Sequence, residues 1–525
     1  MIDAAILAPV IELQFLGAAG TVTGSQFLLT ASGPGAGDRR VLVDCGMFQG
    51  SPDEVARNRM DFAFDPASLD AVLLTHAHLD HCGRIPALVK AGFRGPIHTT
   101  AATADLAEIV FRDAAMLMAE AEARWRRRHP EEPAVAAAAH GEGTDEAVTP
   151  LDDAGMVARL RAAPPRAMTM TRTALYGIAD VEQAIRQFQT TTYGQPVAVA
   201  DGVTAVFHDA GHILGSAIIV VTLTDPGDGV QTTVVFSGDI GRCDTPILAN
   251  PTPIAHADAV LVESTYGNRE HASQEAAVDE LVATIRDVAD SRGVLLVPAF
   301  AIGRTQELVW FLDDLVRSGR IKHLPLYLDS PMAQHASEIY LRHPEVYDDE
   351  TAALLRSGES PLMYPGQSFT TEVAASKAIR TQPRPMMVIA SSGMLTGGRI
   401  LHHLKDFLPD PACTLLFIGY QGEGTLGRHL QNGGKTARID GQEFPVRCRV
   451  RSISGFSAHA DEHELDDWLA NFVQAAGAAA GDGRPKRVFV VHGDPDAAEA
   501  LAERTRSTLG LDVVVPRYRD TVRLR

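Results

Sequence analysis

The sequence predicts an α/β protein with more than one domain. Its 525 residues are too many for one ordinary domain, and its content of 45% hydrophobic and 22% charged residues is typical of a globular chain. Short β-rich runs separated by Gly-containing turns fill about the first hundred residues, and strand patterns return from Pro196 to Phe236. After about residue 268, helix and strand patterns alternate, which indicates a second α/β domain with a parallel sheet covered by helices.

The first half is predicted to consist mainly of strands. They are Val10–Leu16, Gln26–Thr30, Arg40–Val43, Ala71–Thr75, Pro196–Ala200, Val203–His208, Ala217–Leu223 and Thr232–Phe236. Helices are predicted at Ile85–Lys90 and over residues 102–128. Residues 129–172 are rich in Ala, Pro, Glu and Gly and show little periodicity, which predicts a surface insertion without chemistry of its own.

In the second half, helices and strands are predicted in turn. The helices are 274–290, 304–318, those within 331–356, and one near 495–507. The strands are Val294–Val297, Pro325–Leu328, Met386–Ala390, Thr414–Ile418, Arg487–Val491 and Asp512–Val515.

Composition restricts the function and the location of the protein. The net charge of −19 argues against a surface that coats nucleic acid non-specifically, so a polyanionic substrate would have to be held by a local basic, metal-lined cleft. The five cysteines have no paired spacing, which fits a reducing cytoplasm better than a disulfide framework. No basic region precedes the apolar residues of the N-terminus, and no apolar stretch is long enough to span a bilayer. We therefore expect a cytoplasmic protein with no membrane partner.

Residues 76–81 read His-Ala-His-Leu-Asp-His and directly follow the apolar run of residues 71–74. Imidazoles and carboxylates are ligands for Zn²⁺, which takes three or four N, O or S donors and keeps one position for water in catalytic sites. The motif offers enough ligands to serve two adjacent ions. The alternative is a polar loop at a helix start, whose histidines cap the helix or form hydrogen bonds. Cys82, directly after the motif, is interpreted as a packing residue and not as a ligand.

More candidate ligands stand at the ends of predicted strands. They are Asp44, His212, Asp239 and His492. Taken alone, each is weak, because a single His after a strand is usually a satisfied polar residue. Together with the residue 76–81 motif they supply the number of ligands that a dinuclear site requires, and loops at strand ends project side chains into a shared cleft.

These motifs resemble those of a known family. The strings His-x-His-x-Asp-His, Gly-His-x-Leu-Gly-Ser and Ser-Gly-Asp-Ile-Gly-Arg resemble the metallo-β-lactamase superfamily of hydrolases. The segments 263–267 (Glu-Ser-Thr-Tyr-Gly), 456–461 (Phe-Ser-Ala-His-Ala-Asp) and 491–494 (Val-His-Gly-Asp) look like motifs A, B and C of the β-CASP nucleases within it. The prokaryotic RNA-processing branch, related to ribonuclease J and to the endonuclease of mRNA 3′-end formation, looks closest. A His in motif C accompanies RNA substrates in that family.

The resemblance implies a fold and a set of metal ligands. The fold is an αββα metallo-β-lactamase sandwich over residues 1–267, completed by residues 450–525, with an α/β β-CASP domain inserted at 268–449 and the active site in the cleft. Two Zn²⁺ ions are expected, with Mn²⁺ as the alternative metal. One ion would be held by His76, His78 and His212, and the other by Asp80, His81 and His492. Asp239 would bridge the two ions, and Asp44 would orient a histidine ligand from behind.

The implied function is hydrolysis of RNA phosphodiester bonds by a water that the two metals activate. His459 is the candidate general acid for the leaving oxygen, and Glu263 is expected to orient it and to raise its pKa. The alternatives are that His459 is one more structural histidine and that Glu263 is a turn residue. Asp80 is expected to be a catalytic residue as well as a metal ligand.

Two strand-to-helix turns are candidates for holding the RNA. In the Gly-rich turn 391–399, Ser392, Gly393 and Thr396 are predicted to contact phosphate, and the alternative is a plain tight turn. In the turn 299–304, Arg304 either meets phosphate or pairs with an acid.

Two other functions remain open. The same sandwich could serve as a thioester or lactam hydrolase for small molecules, because a fold alone does not determine function. A non-catalytic scaffold is the other alternative. The inserted domain, Glu263 and His459 count against the small-molecule hydrolase, and the complete ligand set counts against the scaffold. The sequence does not distinguish endonuclease from 5′→3′ exonuclease activity, and only the resemblance suggests a homodimer.

Overall fold

The computed structural model describes residues 10–33, 36–129, 173–225, 228–360, 362–422, 424–478 and 484–525. The predicted surface insertion 129–172 lies outside the described residues, apart from residue 129. Strands and helices are numbered below along the described chain.

Two seven-stranded sheets form the larger part of the molecule. The first sheet has the order β22-β1-β2-β3-β4-β5-β6. Its strands are β1 (Val10–Phe15), β2 (Phe27–Gly33), β3 (Ala36–Val43), β4 (Ala71–Leu73), β5 (Ile97–Thr100), β6 (Phe188–Thr191) and β22 (Thr521–Arg523). The second sheet has the order β21-β20-β11-β10-β9-β8-β7. Its strands are β7 (Pro196–Ala200), β8 (Val203–Asp209), β9 (Ala217–Thr224), β10 (Gln231–Phe236), β11 (Ala259–Val262), β20 (Arg487–Val490) and β21 (Val513–Val514).

The two sheets pack face to face around a shared apolar core. Along β1 the buried residues are every second one, and the rings of Phe15 and Phe489 from the two sheets lie 5.1 Å apart in the shared core. Helices cover both outer faces, where separate hydrophobic clusters form, one around Phe111 and one around Trp468. This arrangement confirms the αββα sandwich.

The helices of the sandwich come from both ends of the chain. They are α1 (Pro52–Arg57), α2 (Leu79–Cys82), α3 (Ile85–Lys90), α4 (Ala101–Arg128), α5 (Ile178–Arg186), α13 (Glu462–Ala478) and α14 (Pro495–Leu509). The late strands also join the early ones: β20 runs parallel to β11, and β22 pairs antiparallel with β1. The segment after residue 484 therefore contributes strands to both sheets.

A third sheet lies between these two parts of the chain and is parallel throughout. Its order is β14-β13-β15-β12-β16-β19. The strands are β12 (Val294–Pro298), β13 (Leu326–Asp329), β14 (Gln367–Phe369), β15 (Met386–Ala390), β16 (Thr414–Phe417) and β19 (Arg449–Ser452), and a separate hairpin joins β17 (Thr436–Ile439) to β18 (Gln442–Pro445). Its helices are α6 (Gln274–Asp290), α7 (Arg304–Arg317), α8 (Pro331–Arg342), α9 (Asp349–Arg356), α10 (Val373–Ala378), α11 (Ile400–Phe407) and α12 (Leu426–Gln431).

The sequence patterns located most of these elements. Helix α3 and strand β15 have the predicted bounds, and the parallel sheet follows the predicted alternation of helix and strand. Short strands such as β14, β17, β18 and β22 were missed, because three or four residues are too few to show a period. The last strand of the third sheet, β19, crosses residue 450, and the domain bounds at 267 and 449 stay a prediction.

Candidate metal centre

The predicted ligands meet at one edge of the sandwich, where strands end. Asp44 follows β3, and the residue 76–81 motif follows β4 and runs into α2. His212 lies between β8 and β9, Asp239 follows β10, and His492 follows β20. Asp44 and His492 have φ angles of 59° and 48°, a left-handed backbone that costs energy for residues other than Gly and that is enriched at functional sites.

Four of the ligands form a first group: His76, His78, His212 and Asp239. Their ligand atoms all lie within 4.8 Å of one another. The Nδ1 atom of His78 is 3.2 Å from His76 Nε2 and 3.1 Å from His212 Nε2. The Oδ2 atom of Asp239 is 3.4 Å from His76 Nε2.

Three ligands form a second group: Asp80, His81 and His492. The Nε2 atoms of His81 and His492 are 3.2 Å apart, and Asp80 Oδ2 is 3.7 Å from His492 Nε2. The Oδ1 atom of Asp239 lies 3.3 Å from His81 Nε2, so one Asp239 oxygen faces each group. All seven predicted ligands are thus brought together.

The donor set fits divalent cations. Several ring nitrogens face each other at about hydrogen-bond distance, and Asp239 Oδ1 is buried without a hydrogen bond, as is His78 Nε2. Buried polar atoms without partners are costly, and a shared cation would resolve the crowding of nitrogen lone pairs and carboxylate oxygens. Mixed imidazole and carboxylate donors are those that zinc accepts.

Burial and neighbouring charges hold three of the histidines and Asp239 in the forms that bind a metal. Burial lowers the pKa of His76 and of His212 well below the ordinary value and lowers that of His78 to about 4, so these rings are neutral near pH 7. Burial alone would raise the pKa of Asp239, but the neighbouring His492, His81 and His76 outweigh it and hold the pKa well below the ordinary value.

A second layer of hydrogen bonds orients the ligand rings. The Asp44 carboxylate lies 2.7 Å from His81 Nδ1 and accepts hydrogen bonds from the N–H and hydroxyl of Thr75. The Nδ1 atom of His212 lies 3.2 Å from the carbonyl oxygen of Ala458, and Thr265 Oγ1 lies 3.2 Å from His492 Nδ1. Such contacts set which ring nitrogen is free for a metal.

Sequence reasoning named Asp44 but missed Thr75, Thr265 and the Ala458 carbonyl. Each missed group adjoins or lies within a quoted motif, so position next to a ligand was the available signal for the two threonines. The role of the Ala458 carbonyl could not be recognised from the sequence, because every residue has a backbone carbonyl.

Glu263 and His459 form a pair beside the ligand groups. The Glu263 carboxylate is completely buried and lies 3.0 and 3.1 Å from His459 Nδ1. The Glu263 carboxylate also accepts hydrogen bonds from the backbone N–H groups of Ile240 and Thr265. It therefore also makes the contacts of a turn residue, which was the alternative role for Glu263. Burial lowers the pKa of His459, but the carboxylates of Glu263, Asp239 and Asp80 together outweigh this effect, and the net pKa is above the ordinary value.

Comparisons with known proteins agree with this geometry. Residues 20–156 match the metallo-beta-lactamase superfamily, residues 305–430 match the Beta-Casp domain, and residues 443–516 match the Zn-dependent metallo-hydrolase RNA specificity domain. Ribonuclease TTHA0252 of Thermus thermophilus is 37% identical over 506 residues, which are 96% of this chain and 98% of that protein. The chain belongs to the β-CASP branch of the metallo-β-lactamase superfamily.

More distant β-CASP relatives have other names. The transcription termination factor FttA of Methanosarcina mazei is 30% identical over 98% of this chain and 72% of its own length. That of Methanothermobacter thermautotrophicus is 30% identical over 93% of this chain and 68% of its own length. The predicted family and the class of metallo-hydrolase related to ribonucleases are therefore confirmed. The cytoplasmic location and the homodimer stay predictions.

Ser392, Gly393 and Thr396 lie in a turn at the rim of this β-CASP site. A Cβ atom on Gly393 would come within 2.8 Å of the Phe300 ring, whose centroid is 6.0 Å from that of His78, so Gly is needed for this close approach. The Ser392 hydroxyl accepts hydrogen bonds from the N–H groups of Thr396 and Gly397. The turn is thus held by internal bonds next to the ligands, and its contact with phosphate stays a prediction.

Arg304 pairs with an acid, which is the second of the two alternatives predicted for it. The guanidinium forms an ion pair with Glu307 and donates a hydrogen bond to the carbonyl oxygen of Phe456. The residue is only 8% exposed. Its contact with phosphate is an untested prediction that this burial does not favour.

The structure also bears on Cys82 and on membrane-spanning segments. Cys82 is buried in the core behind the motif, as expected, and its thiol donates to the Ala77 carbonyl oxygen. Among the described residues, no helix has both the length and the apolar character needed to cross a membrane.

Proposed function

We propose that this chain is a zinc-dependent ribonuclease that hydrolyses RNA phosphodiester bonds, with His459 as general acid. The observation that carries the proposal is the place of the Glu263–His459 pair. His459 Nδ1 lies 3.9 Å from Asp239 Oδ2, and the His459 ring lies 4.5 Å from the His212 ring, at the meeting point of the ligands. A thioester or lactam hydrolase has no need for a buried acid–imidazole pair at this position.

The two ligand groups would hold one ion each, with Asp239 between them. When bound, two such ions acidify the attacking water and neutralise charge on the phosphate oxygens. Asp44 would keep His81 oriented with Nε2 toward the metal, and the Ala458 carbonyl would do the same for His212. Zinc is favoured over Mn²⁺ because imidazole nitrogens outnumber carboxylates among the ligands.

The chain's own residues would supply the proton for the leaving oxygen. Because Glu263 occupies Nδ1 of His459, the remaining ring nitrogen, Nε2, is the one that can face the substrate. The same carboxylate favours the imidazolium form, so that a proton is present near neutral pH. Proton donation to a departing oxygen by a positioned imidazole is worth about 10²–10⁴ in rate.

RNA as the substrate is supported by two findings. The relative with the highest identity reported above is named a ribonuclease, and residues 443–516 match an RNA specificity domain. With a net charge of −19, the chain cannot attract a polyanion over its whole surface, so recognition must be local to the metals and to neighbouring turns. Ser392, Gly393 and Thr396 remain our candidates for such contacts.

The experiment that tests the proposal uses one RNA in two forms, linear with a 5′-monophosphate and circular. Each is incubated with the zinc-loaded protein, and Asp239→Ala serves as the inactive control. Cleavage of the circle would establish an endonuclease, because a circle has no end. Degradation of the linear form alone would establish an end-dependent exonuclease. If neither RNA is cut while metal is bound, the ribonuclease proposal fails and the small-molecule hydrolase takes its place.

A further inference from the structure

The segment that carries His459 is held by its backbone carbonyl groups. We call residues 454–461 the His459 loop; it begins with a 3₁₀ turn at Ser454–Phe456. Side chains from elsewhere contact four of its carbonyl oxygens. Arg242 donates to that of Gly455, Arg304 to that of Phe456, His212 contacts that of Ala458, and His271 contacts that of His459.

The two arginines reach adjacent carbonyls from different parts of the molecule. Arg242 follows β10 of the sandwich and also lies 3.5 Å from Glu464. Arg304 is the first residue of α7, in the domain that carries the parallel sheet. A hydrogen bond from a charged donor is worth about twice a neutral one, so these contacts hold the loop firmly.

The turn before Arg304 is packed tightly against the sandwich. Gly303 has a φ of 84°, and a Cβ atom there would come within 2.8 Å of Ile213, the neighbour of His212. The start of α7 therefore has little freedom to shift relative to the ligands. Because Arg304 is fixed at the start of α7, its hydrogen bond can fix the position of the Phe456 carbonyl, three residues before His459.

From these contacts we infer that Arg304 is a positioning residue for proton transfer by His459 and that it does not contact phosphate. The inference rests on the proposed function, because it assigns to Arg304 an effect that acts through the general acid. Arg304 is buried, and the Nη1 atom of its guanidinium already contacts both Glu307 and the Phe456 carbonyl. Contact with RNA would require it to leave a buried carboxylate unpaired, which is costly.

The test uses two variants and a matched control. Arg304→Lys keeps the charge opposite Glu307 but replaces the longer planar guanidinium, whose Nη1 atom contacts both partners, with a shorter side chain. The double variant Arg304→Gln with Glu307→Gln removes both buried charges together, so that neither is left alone. The control is Arg317→Gln on the same helix, whose side chain is 41% exposed and pairs with Asp313, Asp314 and Glu359.

Each zinc-loaded protein is assayed for metal content, for kcat and KM on RNA, and for turnover of bis(p-nitrophenyl) phosphate. Nitrophenolate leaves without a proton, so hydrolysis of this diester does not need a general acid. We expect both Arg304 variants to lower kcat on RNA by about 10- to 100-fold, because small misplacements of a catalytic group have effects of this size. KM, metal content and nitrophenyl ester turnover should stay within about twofold of the wild-type values.

Other results would overturn the inference. A rise in KM with unchanged kcat would mean that Arg304 binds phosphate. Equal losses on both substrates, or loss of metal, would mean that Arg304 supports the site as a whole. If the double variant does not fold, Arg304→Lys decides alone. Wild-type values for the Arg304 variants on RNA would reject the inference while leaving the ribonuclease proposal intact, whereas a wild-type protein that does not cleave RNA would reject the proposed function itself.

Discussion

Asp239 faces both groups of ligands, with one oxygen 3.4 Å from His76 and the other 3.3 Å from His81. A carboxylate between two sites keeps two cations close in spite of their mutual repulsion. Its own pKa is held far below the usual range by the surrounding imidazoles, so it remains ionised throughout the physiological pH range.

We predict that Asp239→Ala abolishes RNA cleavage and lowers the number of bound zinc ions, as does His76→Ala. Removal of Asp239 takes one donor from each group and leaves facing imidazoles without a shared anion. Metal content measured by atomic absorption on the purified variants checks the prediction. Full metal occupancy in Asp239→Ala would contradict the bridging role.

We predict that His459→Ala lowers kcat by about 10²–10⁴ while metal content stays near that of the wild type. His459 is not among the seven ligands, and its Nδ1 atom is bound to Glu263. Steady-state kinetics on RNA together with zinc analysis checks this. An emptied metal site would show that His459 is structural, and an unchanged rate would remove it from the mechanism.

At the scale of elements, the position of the turn 391–399 depends on a buried carboxylate at the end of β13. Asp329 is completely buried and lies 2.7 Å from both Arg399 Nη1 and His403 Nε2. It also accepts hydrogen bonds from the hydroxyls of Thr370 and Ser376. Burial would raise the pKa of Asp329, but these partners outweigh it and lower the pKa below the ordinary value.

We predict that Asp329→Asn destabilises the protein by about 3 kcal/mol at neutral pH, the usual cost of breaking a buried ion pair. Because the folded-state pKa is lowered, the carboxylate contributes its full stability above the unfolded pKa of about 3.9. That contribution is lost as pH falls through the folded pKa. The difference between wild type and variant should therefore shrink below about pH 4.

Urea unfolding at several pH values measures the Asp329 effect. Asp440→Asn is the control, because Asp440 forms an exposed pair with Lys405 on the neighbouring helix α11 and should change stability by no more than about 0.5 kcal/mol. A loss for Asp329→Asn that does not vary with pH would show that the lost contribution is not electrostatic.

More of the residues that meet at the site could be predicted from the sequence than of the contacts that hold them in place. Asp44, His212 and His492 could be named because each follows an apolar run that reads as a strand, and the ends of those strands meet. The Asp329 network could not be predicted, because its members are separated from Asp329 by 41 to 74 positions and only Arg399 stands in a motif that the sequence pointed out. The carbonyl contacts of the His459 loop were equally hidden, because any residue has a carbonyl. Arg304 was correctly placed at a turn, but its partner in the distant His459 loop was not foreseen.

At the scale of the whole molecule, the inserted domain is joined to the sandwich at several points around the site. Tyr420 donates its hydroxyl to Asp494, two residues after His492. The hydroxyl of Tyr340, on α8, accepts a hydrogen bond from the N–H of Leu214, two residues after His212. Each junction adjoins a ligand, so the relative placement of the domains and the geometry of the centre are linked.

We predict that removal of zinc with a chelator abolishes activity but leaves the fold intact. The hydrophobic clusters of the sandwich and of the third sheet are formed by residues other than the ligands, so they do not depend on the metal. Rebinding should still raise the melting temperature, since a ligand at about 100 times its Kd adds about 2.7 kcal/mol to stability. Far-UV circular dichroism and thermal melting with and without zinc measure both effects. Loss of secondary structure on chelation would show that the metals are needed for folding.

The candidate ligands of the metal centre are synthesised far apart in time. His81 and His492, whose ring nitrogens are 3.2 Å apart in the folded protein, are separated by 411 residues. At a translation rate of about 5–20 residues per second, the second histidine is made about 20 to 80 seconds after the first. His459, the candidate acid, also comes after the whole parallel sheet. A nascent chain therefore has neither the full set of candidate ligands nor the candidate acid until long after His81 has been made, and under the proposed function it stays inactive toward RNA until then.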